Sequence, residues 1–193
     1  MEQGGAAPSW PAGVPSTGAL TERDALKVFA SLGVPTVASA VATAPSYAHS
    51  VPYPVAAKVL SPDIAHKTEA GGVELRIPDA AAFASRVEAM LARVKASSPG
   101  ARIEGVLVQA MESGLAEAIV GYRDDPLVGP TVLVGAGGTL AEVYRDTQLR
   151  LAPVSEAEAA EMIARVKGFA VLRGYRGLPR GDLDALAKAE IGR

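Results

Sequence analysis

The sequence contains no cysteine. A disulfide framework, a thiolate nucleophile and a Cys-ligated zinc site are thereby excluded, and redox logic leaves the compartment open. Aromatic residues make up 5% of the chain, and the formal charge is -2 with a pI near 5.7. Neither a platform for stacking bases nor a basic footprint for nucleic acid is present. An anionic ligand must therefore be met by local charge. No apolar run approaches the roughly 20 residues of a membrane-spanning helix, and the start, MEQGGAAPSWPAGVPSTG, lacks the basic flank and apolar stretch of a signal peptide. The expectation is a cytoplasmic protein with no membrane and no nucleic-acid partner. Histidine is scarce as well, with only His49 and His66. That is too few nitrogen ligands for zinc, and with no nucleophile elbow a Ser-His-Asp set has no basis.

What is present suits one domain or two small lobes: 193 residues, 49% hydrophobic and 21% charged. Residues 1–18 are rich in Gly, Pro, Ala and Ser and read as a flexible tail or interdomain linker. Thr21 followed by Asp24 resembles a capping box, and Ala25, Val28, Phe29 and Leu32 recur at helical spacing until Gly33. Val55 to Leu60 and Gly72 to Ile77 read as strands. Asp79 caps a helix whose apolar face is Phe83, Val87, Leu91 and Val94. A second series, EGVLVQAM, EAIVGY, TVLVGA and LRLAPV, reads as four strands of a largely antiparallel sheet. Ser155 with Glu158 forms a capping box for a helix to about Val166, and Asp182 caps a last helix carrying Leu183, Leu186 and Ile191. This order is α+β with two lobes rather than steady strand-helix alternation.

Three places can carry chemistry. In SPDIAHKTEAGGV, Ser61 to Val73, an imidazole and an ammonium stand side by side in a loop that ends in Gly71 and Gly72. A histidine near neutral pKa can accept a phosphoryl group, a neighbouring cation can neutralise its oxygens, and glycines would let the loop reach between sites. The same residues also suit a solvated surface turn. Lys58 sits inside the apolar strand PVAAKVL, where an unpaired ammonium is costly. It should meet a carboxylate or a ligand's phosphates, or else carry its head to water at the strand end. The VGAGG turn, Val134 to Gly138, follows a strand as a phosphate loop would but matches no nucleotide-loop spacing. Glu117, Asp124, Asp125, Glu142 and Asp146 are oxygen donors of the kind Mg²⁺ takes. The Asp124-Asp125 pair in RDDP also reads as a solvated turn.

Taken in order, GALTERDALKVFASLGVP, YPVAAKVLSPDIAHKTEAGGV, EAIVGYRDDPLVGPTVLVGAGGTLAEVYRD and LRLAPVSEAEAAEMI resemble the ATP-grasp domain of NDP-forming acyl-CoA synthetases, relatives of the succinyl-CoA synthetase β subunit. The resemblance runs from about Gly18 to the C-terminus. It implies a two-lobed ATP-grasp fold, truncated at the C-terminus, with an N-terminal lobe over 19–103 and an incomplete C-terminal lobe over 104–193. It further implies ATP and Mg²⁺ as cofactors, with ATP held between the lobes. The adenine edge would be read by backbone at Gln109, Ala110 and Met111, and the phosphates would be met by Lys58, with Lys67 and Glu117 also at the nucleotide. Gly71, Gly72, Gly137 and Gly138 would form phosphate loops, while the metal ligands stay unassigned. By position, His66 would take the phosphoryl group from ATP and relay it toward a second histidine on a CoA-binding lobe or subunit. That partner would handle CoA and the carboxylic acid. The resemblance leaves a second reading open, because the same module occurs in some bacterial protein acetyltransferases: a non-catalytic nucleotide-binding regulatory or assembly module.

Overall fold

Four short apolar strands explain how the first part of the chain folds. In the computed structural model, which describes residues 10–139 and 141–191, β1 (Ser39–Ala42), β2 (Val55–Leu60), β3 (Val73–Ile77) and β4 (Gly105–Ala110) form an antiparallel sheet in the order β1-β4-β2-β3. Alternation along each strand puts Ala42, Val55, Ala57, Ile77, Val106 and Val108 on one face. That face is covered by α2 (Ala80–Ser97), which buries Phe83, Val87, Met90 and Val94. Met90 takes an interior place that the expected stripe gave to Leu91, which is half-buried at the cluster's edge. Each large side chain removed from water in this layer contributes about 1.5–3 kcal/mol. Asp79 caps α2, its carboxylate accepting the Ala82 N–H at 2.8 Å.

The strand EGVLVQAM is not part of the later series, as its sequence position suggested. It is β4, paired with β1 and β2. Periodicity shows that a strand exists but carries no information about which strand lies beside it. The chain divides into two compact units, Met1–Glu112 and Ser113–Arg193, with β4 in the first.

The first helix, α1 (Glu22–Ser31), is capped by Thr21. Asp24 is too short to close the usual capping box on the backbone and instead accepts the Thr21 hydroxyl proton at 2.8 Å. The apolar stripe of α1 is only partly covered, with Ala25, Val28 and Leu32 half-buried. Phe29 is 50% exposed, no residue of the helix joins the buried clusters, and Asp24 is the helix's only buried residue. The tail expected over 1–18 lies partly, over 1–9, outside the described residues. From Trp10 the chain forms a turn in which the indole N–H donates to the Val14 carbonyl at 2.9 Å, and Val14 is buried.

In the second unit β5 (Ala118–Asp125), β6 (Gly129–Ala136) and β7 (Thr147–Leu151) form an antiparallel sheet with β6 in the middle. A short helix α3 (Ala141–Tyr144) precedes β7. Val134 and Ala136 pack with Ala159, Met162 and Ile163 of α4 (Glu156–Arg165), with Phe169, and with Leu183, Leu186 and Ala187 of α5 (Leu183–Ile191). The Ser155–Glu158 capping box is present with both of its bonds, and Asp182 accepts the Ala185 N–H at 2.9 Å. The sheet's other face leaves Ile119, Leu149 and Leu151 exposed.

Candidate functional site

Lys58 lies mid-strand between neighbours that are almost wholly buried. It pairs in register with Leu107 and Val73, and its side chain projects from the face opposite α2. There its ammonium donates to Glu22 Oε1 at 2.6 Å, the two side chains being 28% and 30% exposed. Of the outcomes open from sequence, a carboxylate partner is the one observed. Glu22 opens α1, and nothing local singles it out among 21 acidic residues. The available signal was the demand of a strand lysine for an anion.

Around this pair α1 is held by charge. The buried Asp24 accepts from Arg23 Nε at 3.1 Å and from Lys27 Nζ at 3.3 Å. The Arg23 guanidinium first, then the Thr21 hydroxyl and Lys27, hold the Asp24 carboxyl at about 2 against the opposing effect of burial. Arg23 also reaches Glu104 at 3.4 Å, and its own pKa is raised, chiefly by the bond to Asp24.

The His66 loop joins β2 to β3, leaving the sheet just after Lys58 and returning beside it. Both of its ends are fixed. At the entry, Asp63 accepts the Arg102 N–H at 2.7 Å, and Ile64 is buried against Val59 and Val94. At the exit, Ser97 and Arg93 of α2 donate to the carbonyls of Ala70 and Gly71 at 3.2 and 3.4 Å, and Arg93 pairs with Glu74. Between these ties His66 is exposed on a turn whose carbonyl accepts the Ala70 N–H.

Gly71 has φ +69, and Gly72 packs so closely that a Cβ would lie 2.5 Å from Val59 Cγ1. Gly72 also donates to the Lys67 carbonyl at 2.7 Å, so Lys67 takes part in the turn through its backbone. His49, a connector residue by sequence, has its Nε2 3.1 Å from the Tyr53 hydroxyl and its ring edge-on to Phe83. The Tyr53 phenol is pushed up by burial and by the charge of Asp79.

Gln109 and Ala110 close β4. The Ala110 N–H donates to the Ala38 carbonyl at 2.9 Å and the Met111 N–H to Pro54 at 3.3 Å, so both backbone donors have partners within the first unit. The Met111 sulfur accepts the Arg76 N–H. In the second unit, Glu117 and the glycine turn are brought together. Gly137 N–H donates to the Glu117 carbonyl at 2.8 Å, and a Cβ on Gly137 would lie 3.0 Å from that of Glu117. Gly138 sits at φ +92 with Glu117 Oε2 beside it.

Two of the remaining acidic candidates, Asp125 and Asp146, serve local structure. Asp146 accepts the Gly168 N–H at 2.6 Å, and Asp125 accepts the Leu127 and Val128 N–H groups in the RDDP turn. Among the described residues no group of three or more His, Asp or Glu gathers to hold a metal ion. The Mg²⁺ implied by the resemblance has no such cluster among the described residues.

A strand lysine, a tethered histidine turn and a glycine turn braced by a glutamate agree with a match to the sequence profile of the ATP-grasp domain over residues 15–190. This chain belongs to the ATP-grasp family. It is similar to acetate–CoA ligase [ADP-forming] II subunit beta of Pyrococcus furiosus, at 33% identity over 172 residues, covering 87% of this chain and 73% of that subunit. Acetate–CoA ligase [ADP-forming] I of Archaeoglobus fulgidus is 44% identical over 151 residues, 78% of this chain. The chain spans only 22% of that longer protein.

Among solved structures, the ATP-grasp fold recurs in the dinucleotide forming acetyl-coenzyme A synthetase 1 of Ca. Korarchaeum cryptofilum, in complex with coenzyme A and Ca-AMPCP. The TM-score is 0.82 at 35% identity, over 89% of this chain and 77% of that one. Another structure of that synthetase holds coenzyme A, acetyl-coenzyme A and a phosphorylated phosphohistidine segment. No helix among the described residues is long and apolar enough to cross a membrane.

Proposed function

We propose that this ATP-grasp chain is the ATP-binding and histidine-phosphorylating part of an ADP-forming acid–CoA ligase, working in the cytoplasm with a CoA-binding lobe or subunit. The observation that carries the reading is the His66 turn. It is an exposed imidazole on a short crest, fixed at both ends and rooted beside a strand lysine, in a family whose solved relative carries a phosphohistidine segment.

In this reading Lys58 meets the nucleotide's phosphates, because a half-buried ammonium on a rigid strand offers charge at a fixed point. The residues Lys67, Gln109, Ala110, Met111 and Glu117, with the glycines at 71, 72, 137 and 138, are the further nucleotide contacts of the proposal. The His66 imidazole attacks the γ-phosphorus through a ring nitrogen lone pair. The bond from that phosphorus to the β–γ bridging oxygen breaks, ADP leaves with the electron pair, and the ring's other proton goes to solvent. The phosphoryl group then passes by way of the partner to a carboxylate. The resulting acyl phosphate gives acyl-CoA when the CoA thiolate displaces phosphate.

The test labels the chain, together with the CoA-binding part of the ligase, from ATP carrying radioactive γ-phosphate. Label that is lost in acid, survives base and disappears in His66→Ala while ATP affinity stays within about twofold supports the reading. The chemical signature follows because a phosphoramidate becomes a better leaving group once its nitrogen is protonated. Acid-stable label, or full labelling of His66→Ala, removes it.

A further inference from the structure

The geometry points to Glu22 as a resident counter-anion of Lys58 that a nucleotide's phosphate must displace, making it a positioning residue on α1 that lowers and thereby sets nucleotide affinity. This rests on the proposed role of Lys58 as a phosphate contact.

Two observations carry the inference. Lys58 cannot withdraw from its place, because its strand is hydrogen-bonded on both sides and its neighbours are buried. Its ammonium has Glu22 as its recorded partner, 2.6 Å away in a half-buried setting. An ionised carboxylate there cancels the charge a phosphate would seek and repels the phosphate oxygens. Glu22, by contrast, stands partly exposed in the first turn of α1, where its side chain can turn to solvent. The nonlocal ties of α1 to the sheet include this ion pair and Arg23 to Glu104. A phosphate, with more than one negative charge, can replace the single carboxylate, and the first turn of α1 loses its anchor when it does. By linkage, whatever loosens that turn strengthens phosphate binding, and phosphate binding loosens the turn.

Glu22→Gln tests this on the full chain, because it keeps the length and the acceptor Oε1 while removing the charge. Calorimetric titrations would use ATP and inorganic tripolyphosphate on the wild type, Glu22→Gln, Lys58→Ala and the double variant. Glu22→Gln is expected to bind both probes more tightly, on the order of fivefold, the scale of one partly screened charge pair. Lys58→Ala should bind more weakly, and adding Glu22→Gln to it should change nothing. Amide exchange in the first turn of α1 should quicken at saturating tripolyphosphate. A mere brace for the lysine predicts the opposite sign for Glu22→Gln. If Glu22→Gln binds no tighter while Lys58→Ala weakens binding, the inference falls and the role of Lys58 stands. If Lys58→Ala leaves affinity unchanged, both fall.

Discussion

Replacing Gly72 with alanine should destabilise the first unit by about 2 kcal/mol, within the roughly 1–3 kcal/mol range of overpacking. The new Cβ would sit 2.5 Å from Val59 Cγ1, 3.2 Å from the Lys67 carbonyl oxygen and 3.3 Å from Val59 Cβ. Val59 is fully buried with Ile64 and Val94, so its methyl has no free volume to enter. Moving the backbone instead strains two hydrogen bonds, Val59 N–H to the Gly72 carbonyl at 2.8 Å and Gly72 N–H to Lys67 at 2.7 Å. Each contributes about 0.5–1.5 kcal/mol net.

Equilibrium urea unfolding should show the midpoint falling by about 1 M, given m-values of roughly 1–3 kcal/mol per molar. Amide exchange in β2 and α2 would place the loss in the first unit. Val59→Ala alone should cost about 1–3 kcal/mol through its cavity. In the double variant the alanine methyl occupies part of the space vacated by Cγ1. The combined loss should therefore fall short of the sum by at least about 1 kcal/mol. Rescue stays partial, because the Lys67 oxygen and Val59 Cβ remain close. An unchanged midpoint for Gly72→Ala, or strict additivity in the double variant, would refute the packing argument.

The pH dependence of stability should carry the signature of Asp24. Its folded pKa, about 2, lies below the ordinary 3.8, so its contribution is full above about pH 4 and is lost as pH falls toward 2. A shift of that size corresponds to at most about 2 kcal/mol and, with Arg23 and Lys27 partly exposed and screened, to nearer 1. The stability gap between wild type and Asp24→Asn, followed by urea unfolding from pH 6 to pH 2, should close over that window, and a constant gap would contradict the assignment. Asp146→Ala should lower the stability of the second unit by about 1 kcal/mol, because Gly168 loses its acceptor. ATP affinity, measured by calorimetry, should stay unchanged, and a large loss of affinity with no loss of stability would make Asp146 a ligand-binding residue instead.

The sequence by itself determined what depends on neighbours within a few residues. The caps at Thr21, Asp79, Ser155 and Asp182, the α2 stripe and the strands β2, β3 and β5 to β7 were legible because side-chain period and hydrogen-bonding residue type act locally. The order of motifs from Lys58 through His66 to the glycine turn also sufficed for the family. Tertiary structure alone decided which groups meet. It inserted β4 between β1 and β2, buried Asp24 of α1 among Thr21, Arg23 and Lys27, and gave Lys58 a carboxylate 36 residues away in sequence. It also packed Gly72 against Val59 and engaged Asp146 with Gly168. The physical reason is the same throughout: burial and charge pairing are energies between surfaces brought together by folding. A residue's type states what partner it requires, while the partner's identity is settled by strand register and by the space left in the core.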